Sequence, residues 1–335
     1  MRVNVAIFGP STLAGENLFE LLDAHDLKVE RLRLYDREDE AGRALMFRGS
    51  SVRVKPIESA EIESDLDVAF LCDPDLDSAQ LTRIKASGAL LIDLFPSRQS
   101  DAVLIVPEVN GEKLSSIQRG DVVGCPDAAS IAAAMALAPL QADYQVLRLN
   151  AVAMQSAASL GHKGVEALAA ETARLLNGRD AEASLFATQY AFNLVPQVGA
   201  LDGTGFSDVE RRFAIEVREL LDDDQIEIVV NVLQLPIFYG VAVTLQAETA
   251  HPVDLERAAS LFGKAPGLSL NRSADPVTPV GSAAGNDLVH VDRLRLEEGG
   301  DCAFGICAVT DNLRKGSALN AIQIADSWQK QRCSQ

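Results

Sequence analysis

The sequence predicts an α/β protein in which a Rossmann-type, doubly wound parallel sheet is followed by an α+β domain. The first part is predicted by a short apolar run that leads into a glycine-bearing turn, and by the alternation of apolar runs with helical segments that follows. The second part is predicted by a change of texture near residue 145, after which apolar and polar residues alternate as in one-sided sheets. A length of 335 residues also favours two domains, because single cores seldom grow so large.

The chain opens with the pattern of a phosphate-binding turn. Residues 3–8 form a buried-strand run, residues 9–15 carry glycines at both ends, and leucines at helical spacing follow. A second strand at residues 32–36 ends in Asp36, where NAD-binding folds often place an acid on the ribose 2′-OH. Further strands are predicted at residues 51–54, 68–72 and 90–93, and a helix at residues 78–86.

A short strand from Val122, a tight turn at Pro126 and an alanine-rich helix that begins near Ala128 come next. A helix N-terminus there offers unpaired N–H groups and the positive end of a dipole, which suit a nucleophile or a bound carboxylate. We assign residues 1–127 and 313–335 to a dinucleotide-binding-like domain, and residues 128–312 to an α+β dimerisation or substrate domain.

The second domain begins with a strand at residues 146–152 and a helix at residues 163–176. A helix at residues 207–221 has Ser207 as its N-cap and Glu210 three residues later, which is the pattern of a capping box. Strands are predicted at residues 226–233, 238–246, 289–296 and 303–309, a surface loop or arm at residues 267–285, and a closing helix at residues 313–331.

Charge and cysteine content argue against several classes of function. A net charge of −18 repels phosphate backbones and anionic lipids, so neither nucleic acid nor a membrane surface is an expected partner. The five cysteines form no CxxC pair and have no histidine at ligand spacing, so no metal site is predicted. No apolar run is long enough to span a membrane, and the chain starts directly with a strand, so we expect a cytoplasmic protein.

Seven segments of the chain form recognisable motifs. The most specific are VPEVN at residues 106–110, FNLVPQ at residues 192–197 and TDNLRKG at residues 310–316, and the others lie at residues 9–15, 125–128, 205–212 and 235–240. Together they resemble the aspartate-semialdehyde dehydrogenase family, and within it the Usg-like branch. The resemblance covers nearly the whole chain and implies the fold predicted above, with dimers that form through the second domain.

The family reaction that the resemblance implies uses a cysteine thiolate to attack an aspartyl phosphate, NADPH to reduce the thioester and a histidine to handle protons. Matched position by position, the nucleophile falls on Ala128, the acid/base histidine on Val241 and the substrate arginine on Gln234. We therefore expect no intact catalytic set.

Other family positions are partly kept and give candidates for holding a substrate or a small anion. Arg98 matches a phosphate-binding arginine, Gln155 matches a substrate-orienting glutamine, and Arg212 takes the place of a lysine. For Arg98 and Arg212, a surface salt bridge is as good an interpretation as a ligand site.

The resemblance implies NADP or NAD as the cofactor, with candidate binding residues Gly9, Ser11, Thr12, Leu13, Gly15, Asp36 and Asn312. Thr12 stands where the family has the middle glycine, so a side chain lies where the backbone is expected to approach the pyrophosphate. The arginine expected on the NADP 2′-phosphate falls near Asp39, and the acids there would repel that phosphate. We therefore predict that nucleotide binding is weak or lost.

We interpret the chain as a homodimeric family member that has lost the reaction and keeps a binding or scaffold role toward a protein partner or a small anionic ligand. An alternative is an NAD(P)-dependent oxidoreductase with altered residues that acts on an aldehyde or acyl substrate, using NAD through Asp36 and Cys125 or Asp127 as the nucleophile. For Cys125 a buried small side chain is the favoured interpretation, and for Asp127 a helix N-cap. A third hypothesis is a structural subunit that pairs with an active relative.

Overall fold

The computed structural model describes residues 2–95, 102–182 and 185–334. Their packing divides the chain into two compact units, Met1–Pro126 with Ser317–Gln335, and Asp127–Gly316. They are named here the N-terminal unit and the α+β unit. The helices, in chain order, are α1 (Leu13–Ala24), α2 (Ser78–Lys85), α3 (Pro107–Asn110), α4 (Ala128–Tyr144), α5 (Gly161–Leu176), α6 (Asp208–Leu221), α7 (Leu255–Phe262) and α8 (Leu319–Ser334).

The N-terminal unit is built on a mostly parallel sheet. Its strands are β1 (Val3–Phe8), β2 (Val29–Asp36), β3 (Ala44–Phe47), β4 (Ser50–Pro56), β5 (Val68–Leu71), β6 (Leu90–Asp93), β7 (Val103–Leu104) and β8 (Val122–Gly124). They lie in the order β3-β4-β2-β1-β5-β6-β8-β7, and among the described residues only β3 and β4 pair antiparallel. The doubly wound sheet that the sequence predicts is confirmed.

Both faces of this sheet are buried, which explains the uninterrupted apolar run of β1. Val5 and Ile7 pack on one face with α1 and with Trp328 of α8, while Ala6 and Phe8 pack on the other face with α2. Helices that cover a parallel sheet on both sides require apolar residues at successive strand positions. The β3–β4 hairpin was not predicted, because its two-residue turn is Arg-Gly rather than a common Asn-Gly.

The α+β unit contains a second sheet, with β9 (Val146–Gln155), β10 (Glu227–Gln234), β11 (Val241–Thr249), β12 (Leu268–Leu270), β13 (Val289–Leu296) and β14 (Ala303–Thr310). The order is β10-β9-β11-β14-β13-β12, with β9 parallel to β10 and antiparallel to β11. Helix α4 packs on this sheet, and α6 packs on both α4 and β10. The buried alanines of α4 are small enough to allow this close packing.

In the α+β unit, the start of one predicted strand was wrong, and one predicted loop contains regular structure. The strand predicted at residues 238–246 begins only at Val241, because Gly240 turns with a φ of +89° and a Cβ there would lie 2.7 Å from Pro279. The predicted surface loop at residues 267–285 contains β12 and a helical turn at Pro279–Ala283.

The predicted closing helix is confirmed, but its first turn is a π-helix rather than an α-helix. Arg314–Ala318 form the π-helical turn, and the α-helix α8 continues from Leu319. Asp311 Oδ1 accepts hydrogen bonds from the backbone N–H groups of Leu313 and Arg314, at 2.8 and 3.2 Å. These bonds satisfy N–H groups at the start of the helical segment, which have no partner within the helix.

Candidate functional site

Helix α4 begins directly after the turn at Pro126, and its first residue is Ala128. Asp127 is the N-cap, as its residue type predicts, and its Oδ1 accepts a hydrogen bond from the Ala129 N–H at 2.9 Å. The carboxylate therefore lies at the positive end of the helix dipole. The methyl group of Ala128 is packed so closely that a Cβ added to Gly316 would lie 2.6 Å from it.

Two side chains of α6 reach this N-cap. Arg212 Nη2 lies 3.7 Å from Asp127 Oδ2, and Arg212 Nε lies 3.9 Å from Glu216 Oε1. Glu216 Oε2 accepts a hydrogen bond from the Asp127 backbone N–H at 2.9 Å. Residues four apart lie on one face of a helix, so α6 presents a cation and a carboxyl group together. The predicted capping box of Ser207 and Glu210, which fixes the start of α6, is confirmed.

The two acids and one cation form a cluster whose charge depends on pH. Burial, followed by repulsion from Asp127, raises the pKa of Glu216 to about 7. Arg212 opposes this shift, but its side chain is 37% exposed and its buried Nε has no hydrogen-bond partner among the described residues. A purely anionic ligand that entered here would meet two carboxyl groups beside the cation.

Gln155, Gln234 and Val241 lie side by side in the sheet. Gln234 on β10 and Val241 on β11 are both register partners of Gln155 on β9. Directly paired positions point their side chains to the same face of a sheet, and all three residues are buried. Gln155 Nε2 donates to Asp127 Oδ1 at 3.4 Å, so this row of side chains lies beside the start of α4.

Gln234 carries a buried acceptor that is not satisfied. Its Nε2 donates to the Tyr190 hydroxyl at 3.0 Å, and that hydroxyl donates to the Leu235 carbonyl at 2.8 Å. Its Oε1 has no partner among the residues that the structure describes. An arginine at this position would offer only donors, whereas Gln234 offers an acceptor to an N–H or O–H group.

Asn312, two residues after the end of β14, supports the turn that precedes β11. Its Oδ1 accepts hydrogen bonds from the Gly240 N–H at 2.7 Å and from the Ser156 hydroxyl at 3.4 Å. The residue that family resemblance associates with nicotinamide therefore has a structural contact of its own within the α+β unit.

The turn between β1 and α1 keeps the geometry of a glycine turn at both ends. Gly9 has a φ of +85°, and a Cβ there would lie 2.7 Å from the Cβ of Asp73. A Cβ on Gly15 would lie 2.0 Å from the Gly9 carbonyl oxygen. Between them, the Thr12 hydroxyl caps α1 by accepting from the Gly15 N–H at 3.0 Å, and it lies 2.8 Å from the carbonyl oxygens of Gly9 and Cys72.

This turn fits the pyrophosphate of a nicotinamide dinucleotide. The first-turn N–H groups of Leu13 and Ala14 have no acceptor among the described residues, and such groups at a helix N-terminus bind anions. The Ser11 N–H, by contrast, donates to Asp36 Oδ2 at 2.8 Å, and Asp36 Oδ1 accepts from the Arg37 N–H at 2.9 Å. Two amides are thus available to a phosphate, and a third is held by Asp36.

The structure brings together some of the predicted residues but not all. Gln155 and Arg212 both reach Asp127, whereas Arg98 lies outside the described residues. Glu216 was not predicted from the sequence, although its spacing of four residues from Arg212 on one helix was a usable signal. Cys125 is 1% exposed with its Sγ 3.7 Å from Asn320 Nδ2, so its interpretation as a buried small side chain is confirmed.

Comparison with known proteins identifies the family. The semialdehyde dehydrogenase NAD-binding domain matches residues 4–117, and the semialdehyde dehydrogenase dimerisation domain matches residues 137–315. A USG-1 protein homolog from Pseudomonas aeruginosa is 36% identical over 325 residues, which cover 97% of each chain. The chain belongs to the aspartate-semialdehyde dehydrogenase family. This dehydrogenase-family chain is also 32% identical to aspartate-semialdehyde dehydrogenase 2 of Vibrio cholerae, over 97% of each chain.

A solved relative agrees with the fold of this family member along its whole length. The crystal structure of aspartate semialdehyde dehydrogenase II from Vibrio cholerae, complexed with ASA, matches with a TM-score of 0.94 at 31% identity. The match covers 98% of this chain and 99% of that one. Within the described part of this dehydrogenase-family chain, no helix is both long and apolar enough to cross a membrane.

Proposed function

We propose that this family member does not carry out the thioester reaction and that its α+β unit serves as a ligand-binding site and dimer scaffold. The observation that carries the proposal is the methyl group of Ala128 at the first position of α4. A thiol at that position would gain nucleophilicity from the helix N-terminus, whereas alanine has no group that can form a covalent intermediate.

The neighbouring groups support the same proposal. Val241 is buried beside Gln155 and has no proton to transfer, and general acid–base catalysis is typically worth about 100-fold or more. The Asp127 carboxylate is held by the Ala129 N–H and faces Arg212, which disfavours a nucleophilic role.

The charges around α4 favour a ligand that carries both an amino group and a carboxylate over a simple anion. Asp127 and Glu216 suit an ammonium group, Arg212 suits a carboxylate, and Gln234 Oε1 can accept a hydrogen bond from the same ligand. The Vibrio cholerae relative in complex with ASA gives independent support for a small ligand in this family.

We further propose a homodimer and weakened nicotinamide dinucleotide binding. The dimer is supported by the match to the dimerisation domain and by large apolar side chains exposed on the α+β unit, among them Phe192, Leu201 and Ile215. Weaker dinucleotide binding follows from the Thr12 side chain at the middle of the turn, where a glycine would let a pyrophosphate approach more closely.

Oxidation of aspartate semialdehyde in the presence of phosphate, followed by the absorbance of reduced nicotinamide, tests the proposal. We expect the wild type to show no turnover above background with NADP or NAD, and the A128C/V241H double variant, which returns the thiol and the imidazole, to gain turnover. Wild-type turnover would overturn the proposal, and the C125A and D127N variants would then show which residue acts as the nucleophile. Light scattering on the same samples gives the oligomeric state.

A further inference from the structure

A cleft in the N-terminal unit begins at the turn after β1 and ends at the carboxyl end of β2. Its lining includes Ser11 of the turn, Phe19 of α1, and the charged residues Glu16, Asp36, Glu40 and Arg43. We infer that this cleft receives the adenosine ribose of a dinucleotide and selects NAD over NADP, with Glu40 and Asp36 as the residues that determine the specificity.

The position of the cleft points to the ribose. The N–H groups of Leu13 and Ala14, which fit the pyrophosphate, lie two and three residues after Ser11 in the chain, and Ser11 lines the cleft. Ser11 is also the residue whose N–H binds Asp36, at 2.8 Å. A ribose linked to a phosphate at these amides would therefore lie next to the Asp36 carboxylate.

Hydrogen-bonding capacity distinguishes a ribose 2′-hydroxyl from a 2′-phosphate. Asp36 is buried and accepts one backbone N–H on each oxygen, and each carboxylate oxygen has a second lone pair. A 2′-hydroxyl can donate to that lone pair. An ionised 2′-phosphate has no proton to donate to the Asp36 carboxylate, so the two negative groups only repel each other.

The sum of the charges that line the cleft also favours NAD over NADP. Glu16, Asp36 and Glu40 give three negative charges against the single positive charge of Arg43, a sum of −2. Arg43 is ion-paired with Glu40 through its Nη1, so its charge is already balanced.

The other arginine of this region is engaged in the same way. Arg37 Nε lies 3.3 Å from Asp73 Oδ2, and Arg37 Nη2 lies 3.7 Å from Asp75 Oδ2. A 2′-phosphate, which brings further negative charge, would have to break one of these ion pairs to gain a cation.

Isothermal titration of the full-length protein with NAD and with NADP tests the inference without any assay of activity. We expect NAD to bind about tenfold or more tightly than NADP at low salt, and this ratio to shrink at high salt because the repulsion is screened. In E40Q, which removes one charge and releases Arg43, NADP affinity should rise while NAD affinity stays nearly constant. E112Q makes the same charge change on an exposed residue outside the cleft and should leave the ratio unchanged.

Each other outcome would overturn the inference. If NADP bound as tightly as NAD or more tightly, the carboxylates would not select NAD. If the ratio of NAD affinity to NADP affinity were the same in E40Q as in the wild type, Glu40 would not determine the specificity. Absence of heat with both dinucleotides would show that the cleft does not receive a ribose. None of these results affects the proposed loss of turnover, which rests on Ala128 and Val241 and is measured separately.

Discussion

The molecule contains two strand-turn-helix junctions of the same plan, and they differ in what the helix end is free to bind. At the β1–α1 junction the cap is a neutral hydroxyl, Thr12, and two amides remain available. At the β8–α4 junction the cap is a carboxylate, Asp127, which also contacts Arg212 and lies beside Glu216. The N-terminus of α1 therefore still offers a positive site to an anion, whereas the Asp127 carboxylate occupies the N-terminus of α4.

The difference shows that a fold can be kept while the chemistry at one helix end changes. Both caps satisfy the same kind of orphan N–H group, so both stabilise their helices by similar amounts. What separates them is charge, because a carboxylate at the cap attracts a cation and repels other acids, while a hydroxyl does neither. The functional difference between the junctions is thus electrostatic rather than architectural.

The largest loss of stability is expected for G15A, a substitution that tests how tightly the β1–α1 junction is packed. In G15A the new Cβ would lie 2.0 Å from the Gly9 carbonyl oxygen, so the turn must move. We expect the free energy of unfolding to fall by about 3 kcal/mol, the upper end for overpacking. The control is G111A, where a Cβ would have only Pro107 Cβ nearby at 3.8 Å, and urea unfolding should show a much smaller change. Equal losses in the two variants would mean that the turn is not tightly constrained.

The second largest effect is a pH-dependent change in stability at the β8–α4 junction, where the charged residues lie. The pKa of Glu216 rises from 4.5 to about 7 in the folded protein, so its contribution to stability is complete below pH 4.5 and is lost as the pH rises through 7. In E216Q this loss disappears, and at pH 8 the variant should be more stable than the wild type by about 2–3 kcal/mol. At pH 5 the two proteins should nearly coincide. Thermal unfolding at both pH values measures the difference, and a gap that does not change with pH would contradict the shift.

The smallest loss of stability is expected from substitutions at the two N-caps, and these substitutions compare the caps directly. T12V and D127A each remove a capping oxygen, and each should lower the free energy of unfolding by about 1 kcal/mol. T12S and D127N retain a capping oxygen and should retain most of the stability. Only the two Asp127 variants should also alter the pH dependence, because removing that charge lowers the pKa of Glu216. Similar pH profiles for wild type and D127N would show that the acids at the second junction are not coupled.

Most of the first domain could be predicted from local sequence. The apolar run of β1, the glycines at 9 and 15 and the leucines of α1 predict a strand, a turn and a helix because each pattern has few alternative structures. The capping box at Ser207 is similarly local, and it is confirmed. The hairpin of β3 and β4 was missed because its pairing depends on two short, partly exposed strands whose turn has an uncommon sequence.

The candidate site was predicted less completely. Ala128 and Val241 could be placed by resemblance, but the row of Gln234, Gln155 and Val241 exists only because β10 and β11 pair on either side of β9. Nothing in the sequence around any one of these residues specifies that register. The π-helical turn at Arg314–Ala318, directly before α8, was likewise not indicated by the local sequence pattern.

The sequence by itself determined which residue types stand at the positions that family resemblance associates with catalysis, where alanine and valine replace the expected thiol and imidazole. Only the tertiary structure decided what surrounds those positions. It brings α6 against the start of α4, so that Arg212 and Glu216 meet Asp127. It also buries Glu216, and the resulting rise in pKa depends on burial and on a charge 89 residues away in the chain. Local sequence specifies local hydrogen bonds, whereas electrostatic environments are set by whichever distant segments pack together.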